Sequence, residues 1–426
     1  MTKPIAVALI GVGGIGGYHL SAMEELEREG QIRLVAVADP SKDRFPELSA
    51  QFESRDVHWH SSYRDLLRQE KLDAVTIATP IPLHYEMARA SLNHGLYVYL
   101  EKPPVPLIQQ LDELIAADPH NRVSVGFQMV TSRNVQLVKS AIVQGKLGKI
   151  SSIRACSCWP RQDHYYKRAS WAGKMVLKDE PVFDGPATNA LAHLINNIMY
   201  LAGSTDDGFD SPVEIQGELY RARPIESYDV ACMRGRFSSD LEFVAAMTHA
   251  TEETVPFRLE VCGDQGWMRI SEDGARLEGS GIESSGFEES TEALLLKSHR
   301  EFIEFISGRR KRVSTQLRDT RGYVAATNAM LASSGKIHDI DANSVRSYQK
   351  QNDRGFDVLG LRDAVENSFK TGRLFSEQSG LSWARSTKPV SLTNFRGIDL
   401  SSYTSTMSRS VNGEFKNIEA ISDKVA

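Results

Sequence analysis

The chain has 426 residues, enough at about 150 per domain for two or three domains and for a core that needs no covalent staples. Hydrophobic residues make up 41% and charged residues 25%, the composition of a globular protein and not of a collagen or a disordered tail. A net charge of −5, from 50 Lys and Arg against 55 Asp and Glu, lacks the strongly basic balance of a dedicated nucleic-acid binder and fits a small-molecule enzyme.

The apolar run Ile5–Ile10 predicts a strand ending in glycines. Six apolar residues are too few for a signal-peptide core or a membrane span, and no later stretch is long and apolar enough, so a cytoplasmic protein with no membrane partner is expected. Tyr18–Glu29 has a helical pattern stopped by Gly30. Strand patterns follow at Arg33–Ala38, closed by Asp39-Pro40, and at Asp73–Ala78, followed by a helix to Gly95. Leu96–Leu100, a helix over Leu107–Ala117 and a strand over Val123–Phe127 complete this part. Apolar strands alternating with helices predict βαβ units and a parallel, doubly wound sheet over residues 1–128.

The rhythm changes after residue 129. A helix over Asn134–Gln144, a strand over Ile150–Trp159 and a helix over Thr188–Leu201 are followed by strand patterns at Val213–Arg223, Ala231–Arg236, Leu241–Thr248, Arg258–Cys262 and Trp267–Ile270. Successive strands without helices between them predict a mostly antiparallel open sheet in a second α/β domain, residues 129–339, closed by helices at Leu294–Ile306 and Thr320–Ser333. Residues 340–426 form a polar extension with one helical pattern near Leu361–Phe369. The four cysteines match no disulfide framework and no zinc spacing; they read as small buried thiols, and no metal is expected.

Gly11-Val12-Gly13-Gly14-Ile15-Gly16 follows the first strand and opens a helix. Gly11 permits the tight turn, Gly13 lets the backbone approach a pyrophosphate, and Gly16 lets helix and strand pack closely. Gly14 and Ile15 sit at the helix N-terminus, whose free N–H groups favour phosphate. Asp39 ends the next strand, where a carboxylate can accept from both ribose hydroxyls of NAD. That carboxylate would repel a 2′-phosphate, while Ser41, Lys42 and Arg44 leave NADP open. Glu101-Lys102-Pro103 lies at the C-terminal end of a parallel strand, where open α/β sheets bind ligands, and Pro103 restricts the backbone of Lys102.

At these residues the chain resembles the glucose-fructose oxidoreductase / inositol dehydrogenase / rhizopine-catabolism (Gfo/Idh/MocA) oxidoreductases. The resemblance runs through Gly11-x-Gly13-x-x-Gly16-x-x-His19, Thr79-Pro80-x-x-x-His84, Glu101-Lys102-Pro103, Gly126-Phe127-Gln128, Gly145-x-Leu147-Gly148 and the helix around His193. It implies a Rossmann domain joined to an α/β domain with an open sheet. It also implies an NAD(P)-dependent transfer of hydride to or from a hydroxyl-bearing carbon of a sugar, sugar acid or polyol. Lys102 would then stand beside the nicotinamide, while Thr79, Pro80 and His84 would line the adenosine and nicotinamide-ribose groove and Gln128 would reach the nicotinamide side. His19 is expected to pack or cap near the phosphate loop. To act as a base near neutrality, Lys102 must lose about 3 units from its ordinary pKa.

The family usually has Asp-x-x-x-His where this chain has Asn189-x-x-x-His193. An amide can hydrogen-bond a hydroxyl but cannot take its proton. Acid–base duty therefore falls to Lys102 and His193, Asn189 orients substrate, and Asp184 is a nearby carboxylate of unknown geometry. Spacings of four place Asn189, His193 and Asn197 on one face of a continuous helix. The stretch 161–171, with Arg161, Tyr165, Tyr166, Arg168 and Trp171, is dense in aromatic and basic groups that suit a carbohydrate-like substrate, and equally reads as a solvated loop with packed rings. Two other functions share the resemblance: a glycoside-cleaving enzyme acting by transient oxidation, and a non-catalytic cofactor-binding regulator. Oligomerisation through the open sheet face, as a homodimer or homotetramer, is expected from the resemblance alone.

Overall fold

A computed structural model describes residues 3–399. In chain order the first part comprises β1 (Ile5–Ile10), α1 (Ile15–Arg28), β2 (Ile32–Ala38), α2 (Pro46–Ser54), β3 (His58–His60), α3 (Tyr63–Gln69), β4 (Ala74–Ile77), α4 (His84–Asn93), β5 (Tyr97–Leu100), α5 (Ile108–Ala117) and β6 (Val123–Val125). The six strands pair in parallel in the order β3-β2-β1-β4-β5-β6, a doubly wound Rossmann sheet. The strands are apolar on both faces because both are covered. Ala6, Ala8 and Ile10 point toward Leu66, Met87, Leu92 and Leu111 of α3, α4 and α5. Val7 and Leu9 point the other way, toward Leu20, Met23 and Leu26 of α1.

The second part comprises α6 (Arg133–Val143), β7 (Ile150–Cys158), α7 (Asp163–Lys167), the two-residue strands β8 (Val176–Leu177) and β9 (Glu180–Pro181), α8 (Ala192–Ala202), β10 (Glu214–Arg221), β11 (Val230–Arg236), β12 (Glu242–Thr248), β13 (Val255–Gly263), β14 (Trp267–Ser271), β15 (Arg276–Gly279), β16 (Ile282–Ser285), α9 (Thr291–Ile306) and α10 (Arg321–Ser334). Its sheet runs β16-β15-β14-β13-β7-β12-β11-β10, antiparallel except for the parallel pair β7 and β12, and is extended by the short β17 (His338–Asp339). One face packs against α6, α8 and α10. α9 leaves this sheet and returns to the first: Phe302 and Ile303 pack with Leu20, Leu26 and Val7, so a helix from late in the chain completes a layer of the amino-terminal sheet.

The polar extension is folded through residue 399. It contributes the antiparallel hairpin β18 (Val345–Lys350) and β19 (Asp353–Val358), helix α11 (Leu361–Thr371) and the short β20 (Val390–Ser391) on β10. Leu361, Ala364, Val365, Phe369, Phe375 and Trp383 pack on Cys156, Cys158, Tyr220, Cys232 and Val244, on the sheet face opposite α8 and α10. Each Leu, Val or Phe buried this way contributes about 1.5–3 kcal/mol. The sheet face on which self-association was expected is therefore covered by the chain's own α11. Residues 400–426 of the extension lie outside the described residues.

Three sequence expectations are corrected here. The stretch 40–72 contains α2, β3 and α3, which were not foreseen because short, charge-rich elements carry little periodicity. α1 begins at Ile15, within the glycine loop, and not at Tyr18. The helix expected over Thr188–Leu201 is two pieces, a π turn at Pro186–Ala190 and then α8, separated at Leu191.

Candidate active site

The glycine loop joins β1 to α1 over the C-terminal edge of the parallel sheet. Gly11 has φ +89°, and a Cβ there would stand 2.6 Å from the Ala78 carbonyl oxygen at the end of β4. A Cβ on Gly16 would overlap the Gly11 carbonyl oxygen. A Cβ on Gly14 would meet open space, and no side chain caps α1, which leaves its N-terminal N–H groups to a ligand. The Asp39 carboxylate accepts from Val12 N at 3.2 Å and Ser41 N at 2.9 Å, which fixes it beside the loop. Thr79 is half-buried with its methyl close to Gly11, and Pro80 is exposed. Lys42 pairs with Glu53 at 3.1 Å. This cradle fits a dinucleotide: two glycines admit no side chain, the helix end is free, and an oriented carboxylate stands at the end of β2.

Glu101, Lys102 and Pro103 follow β5, and the Lys102–Pro103 bond is cis. Glu101 is buried; its Oε1 lies 3.0 Å from His19 Nε2, and its Oε2 accepts from the Lys102 backbone N–H at 3.1 Å. Burial would push this carboxyl up, but the His19 hydrogen bond, followed by the charges of His19, Lys102 and His193, holds it below its ordinary value. His19 Nδ1 lies 2.8 Å from Nε2 of His299 on α9, and burial with the His19 charge keeps His299 far below its ordinary pKa. With Glu101 ionised, His19 Nε2–H donates to Glu101, and the Nδ1 contact joins the two imidazoles. His19 thus packs near the loop but serves as the partner of Glu101, a link its own neighbours in sequence do not signal.

Lys102 Nζ donates to the Asn189 carbonyl oxygen at 3.0 Å and to Asn189 Oδ1 at 3.4 Å. Burial lowers the Lys102 pKa; Glu101 and Asp184 oppose the shift, and Arg168 adds to it. Asn189 Nδ2 donates to Asp184 Oδ1 at 2.7 Å, while Asp184 Oδ2 accepts from Gly173 N at 2.7 Å. The amide is thereby fixed with its oxygen toward Lys102. Burial raises the Asp184 pKa, opposed by Gly173, Arg168, Asn189 and Lys102. The carboxylate whose geometry was open is therefore second in line behind Asn189. His193 opens α8, edge-on to Phe127 at 5.6 Å, and burial, aided by the Lys102 charge, pushes its pKa down to about 3. Among the described residues its Nδ1 and Gln128 Oε1 are buried without hydrogen-bond partners. Two orphaned polar atoms, one of them on a ring that feels the Lys102 charge, fit a cofactor head and a polar substrate.

Asn189 sits in the π turn, so it and His193 converge from separate pieces of backbone and do not share one helix face; Asn197, one turn beyond His193, is buried with both amide atoms unpartnered among the described residues. His84 does not line the groove: it is buried, with Nδ1 2.9 Å from the Pro103 carbonyl and Nε2 2.8 Å from the Thr79 carbonyl, so its ring ties two loops together.

The stretch 161–171 carries α7 and lies next to Asp184. Arg168 Nη2 is 3.9 Å from Asp184 Oδ2, and its guanidinium lies 3.6 Å from the Tyr165 ring and 4.7 Å from Trp171. Arg161 lies against Trp159 at 5.2 Å and Tyr165 at 4.9 Å. Tyr166 turns inward under Arg223, at 4.4 Å. The hairpin β18–β19 holds this loop from outside. His164 N donates to Asp353 at 3.1 Å, Arg354 pairs with Asp163 at 2.9 Å, and Gln162 Nε2 donates to Tyr348 Oη at 3.1 Å. Far along the sheet edge, among the described residues, His58, His60 and Glu70 bring three potential ligand atoms within 4.8 Å of one another; both imidazoles lie 2.8 Å from Glu70 Oε1.

Comparison with known proteins agrees with this architecture. Residues 5–127 match the model of an oxidoreductase family with an NAD-binding Rossmann fold, and residues 135–269 match the GFO/IDH/MocA C-terminal domain. An inositol 2-dehydrogenase of Streptomyces avermitilis is 30% identical over 152 residues, 35% of this chain and 43% of its own. An uncharacterized oxidoreductase of Synechocystis is 25% identical over 291 residues, 64% of this chain and 74% of its own. The chain spans less than half the length of the first two curated relatives it matches. Among solved structures, a WlbA dehydrogenase from Bordetella pertussis in complex with NADH and UDP-GlcNAcA superposes with a TM-score of 0.66 at 23% identity, and levoglucosan dehydrogenase with NADH at 0.68 and 18%. Each covers 78% of this chain and 97% of its own. Both halves of the family model fall on the two sheets that frame Lys102, and the chain belongs to the Gfo/Idh/MocA family of NAD-binding oxidoreductases.

Proposed function

We propose that the protein is an NAD-dependent dehydrogenase acting on a CH–OH group of a sugar, sugar acid or polyol, with NADP as the alternative to NAD. Gly11, Gly13, Gly14, Ile15 and Gly16 hold the pyrophosphate, and Asp39 holds the adenosine ribose. When bound, the nicotinamide supplies the acceptor or donor of two electrons and a hydrogen at carbon. The single observation that carries the reading is the convergence of Lys102 Nζ, the Asn189 amide and His193 where the two sheets meet.

In the oxidising direction, neutral Lys102 Nζ takes the proton that leaves the substrate hydroxyl; in the reducing direction its ammonium returns it. Burial provides the depressed pKa this requires. Glu101, anchored by His19, fixes the Lys102 backbone. Asn189 accepts from Nζ and so aims its remaining valence. His193, kept neutral by burial, hydrogen-bonds the reacting oxygen or a neighbouring hydroxyl. Arg161, Tyr165, Arg168 and Trp171 contact the remainder of the substrate, with Asn197 behind His193. A proton-relay pair of this kind has no use in a cofactor-binding regulator.

The division into residues 1–128, 129–339 and 340–426 and a cytoplasmic location belong to the same proposal; among the described residues no helix is long and apolar enough to cross a membrane. A homodimer or homotetramer would form through a surface other than the sheet face that α11 covers. In the test, Lys102→Met is assayed on a panel of sugars and polyols with NAD. Turnover should fall about 10²- to 10⁴-fold with NADH affinity retained. Undiminished turnover would remove Lys102 from the mechanism.

A further inference from the structure

The loop 161–168 combines several cations with a shortage of free carboxylates. Asp229 is taken by Arg223 at 3.0 Å. Asp163 is taken by Arg354 at 2.9 Å, with Arg223 at 3.6 Å. Asp184 spends its two oxygens on Gly173 and Asn189, and Arg168 reaches it only at 3.9 Å. Glu101 is held by His19. Arg161 has no ion pair among the described residues: besides a hydrogen bond with the Tyr165 side chain it makes one long bond, Nη1 to the Pro160 carbonyl at 3.4 Å, and its Nε is buried without a partner there. Its guanidinium and that of Arg168 lie against the same Tyr165 ring, and Arg168 leads through Asp184 and Asn189 to Lys102 Nζ. The potential there is positive enough to register on a neighbour: burial, together with the charges of Arg161, Arg223 and Arg168, pushes His249 down to about 3.

A half-buried guanidinium with unused donors, held between aromatic rings, is built to receive a planar anion by two parallel hydrogen bonds. The hairpin β18–β19 contributes by tying up Asp163, the carboxylate two residues along the chain. We propose that Arg161, assisted by Arg168, is the anchor for a carboxylate on the substrate, so that the enzyme takes an acidic sugar of the uronate or aldonate class in preference to a neutral sugar or polyol. This rests on the dehydrogenase reading above and narrows it.

The experiment compares kcat/KM for glucuronate, galacturonate and gluconate with that for glucose, galactose, myo-inositol and glucose 6-phosphate, in the wild type, Arg161→Met and Arg161→Lys. It is paired with fluorescence titration of NADH and, on the NAD-loaded protein, of each sugar. The carboxylates should be preferred over neutral counterparts by at least about tenfold, the size of one charge-assisted pair. Arg161→Met should cut that ratio about ten- to a hundredfold through KM, and Arg161→Lys should restore part of it. NADH affinity reports that the variants are folded. Equal ratios in wild type and Arg161→Met, no carboxylate preference in either turnover or binding, or a preference for the phosphate would each overturn the carboxylate anchor. Absence of NADH binding, or tight sugar binding with no redox turnover on any substrate, would instead overturn the dehydrogenase reading beneath it.

Discussion

Replacing Asp184 with Asn removes a charge that Lys102 feels while leaving Lys102, Asn189 and His193 in place. Asp184 raises the Lys102 pKa against burial. An opposite charge nearby favours the charged form of a titrating group, and here one amide stands between the two. The sign follows: without the carboxylate, Lys102 deprotonates more easily. In the oxidising direction neutral Lys102 is the active form, so the rising limb of kcat/KM against pH should move toward acid. Stability falls as well. Asp184 accepts from both Gly173 N and Asn189 Nδ2, and an Asn can accept only one of these and must face the other donor to donor. That mismatch costs about 1–3 kcal/mol and should appear as a lower melting temperature. The assay is the pH profile of oxidation beside thermal unfolding. A profile that stays in place while melting falls would make Asp184 purely structural, and a shift toward alkaline pH would refute the electrostatic argument.

Gly16→Ala places a methyl against the Gly11 carbonyl, backbone on backbone, where little can give. NADH affinity should drop at least about tenfold and stability by about 1–3 kcal/mol; unchanged titration and melting curves would contradict the close packing. The buried histidines set an acid limit. His193 and His249 both have folded pKa values pushed down to about 3, chiefly by burial, so between about pH 3 and 6.5 the unfolded chain binds protons that the fold refuses. Each should withdraw about 2 kcal/mol of stability by pH 5, and urea unfolding of His249→Gln should show a shallower loss from pH 7 to 5 than the wild type.

The amino-terminal sheet was legible because its strands are apolar on both faces and each ends in a turn residue whose chemistry is local: Gly11, Asp39, Thr79 and Glu101. The glycine spacing carries its own steric reason, and the structure meets it at Gly11 and Gly16. α2, β3 and α3 were missed because short, partly exposed pieces leave no stripe to read. The break before α8 was hidden by a pattern that continues through Leu191, so four-residue spacing misplaced Asn189 relative to His193. His19 with His299, and Asp353 with His164, are contacts between residues far apart in sequence, and no local periodicity reports such pairs. His84 illustrates the converse: its motif was visible, but only the two carbonyls around it show that it fastens loops together.

Helix α9 has one more consequence. Because Phe302 and Ile303 complete the layer against β1 and α1, a fragment ending near residue 128 would lack part of its own core. Expressed alone, such a piece would bare an oily stripe along Leu20 and Leu26 and leave His19 without the imidazole it faces. The boundary seen along the chain is thus no seam for unfolding: the halves are threaded through each other and should melt as one cooperative unit.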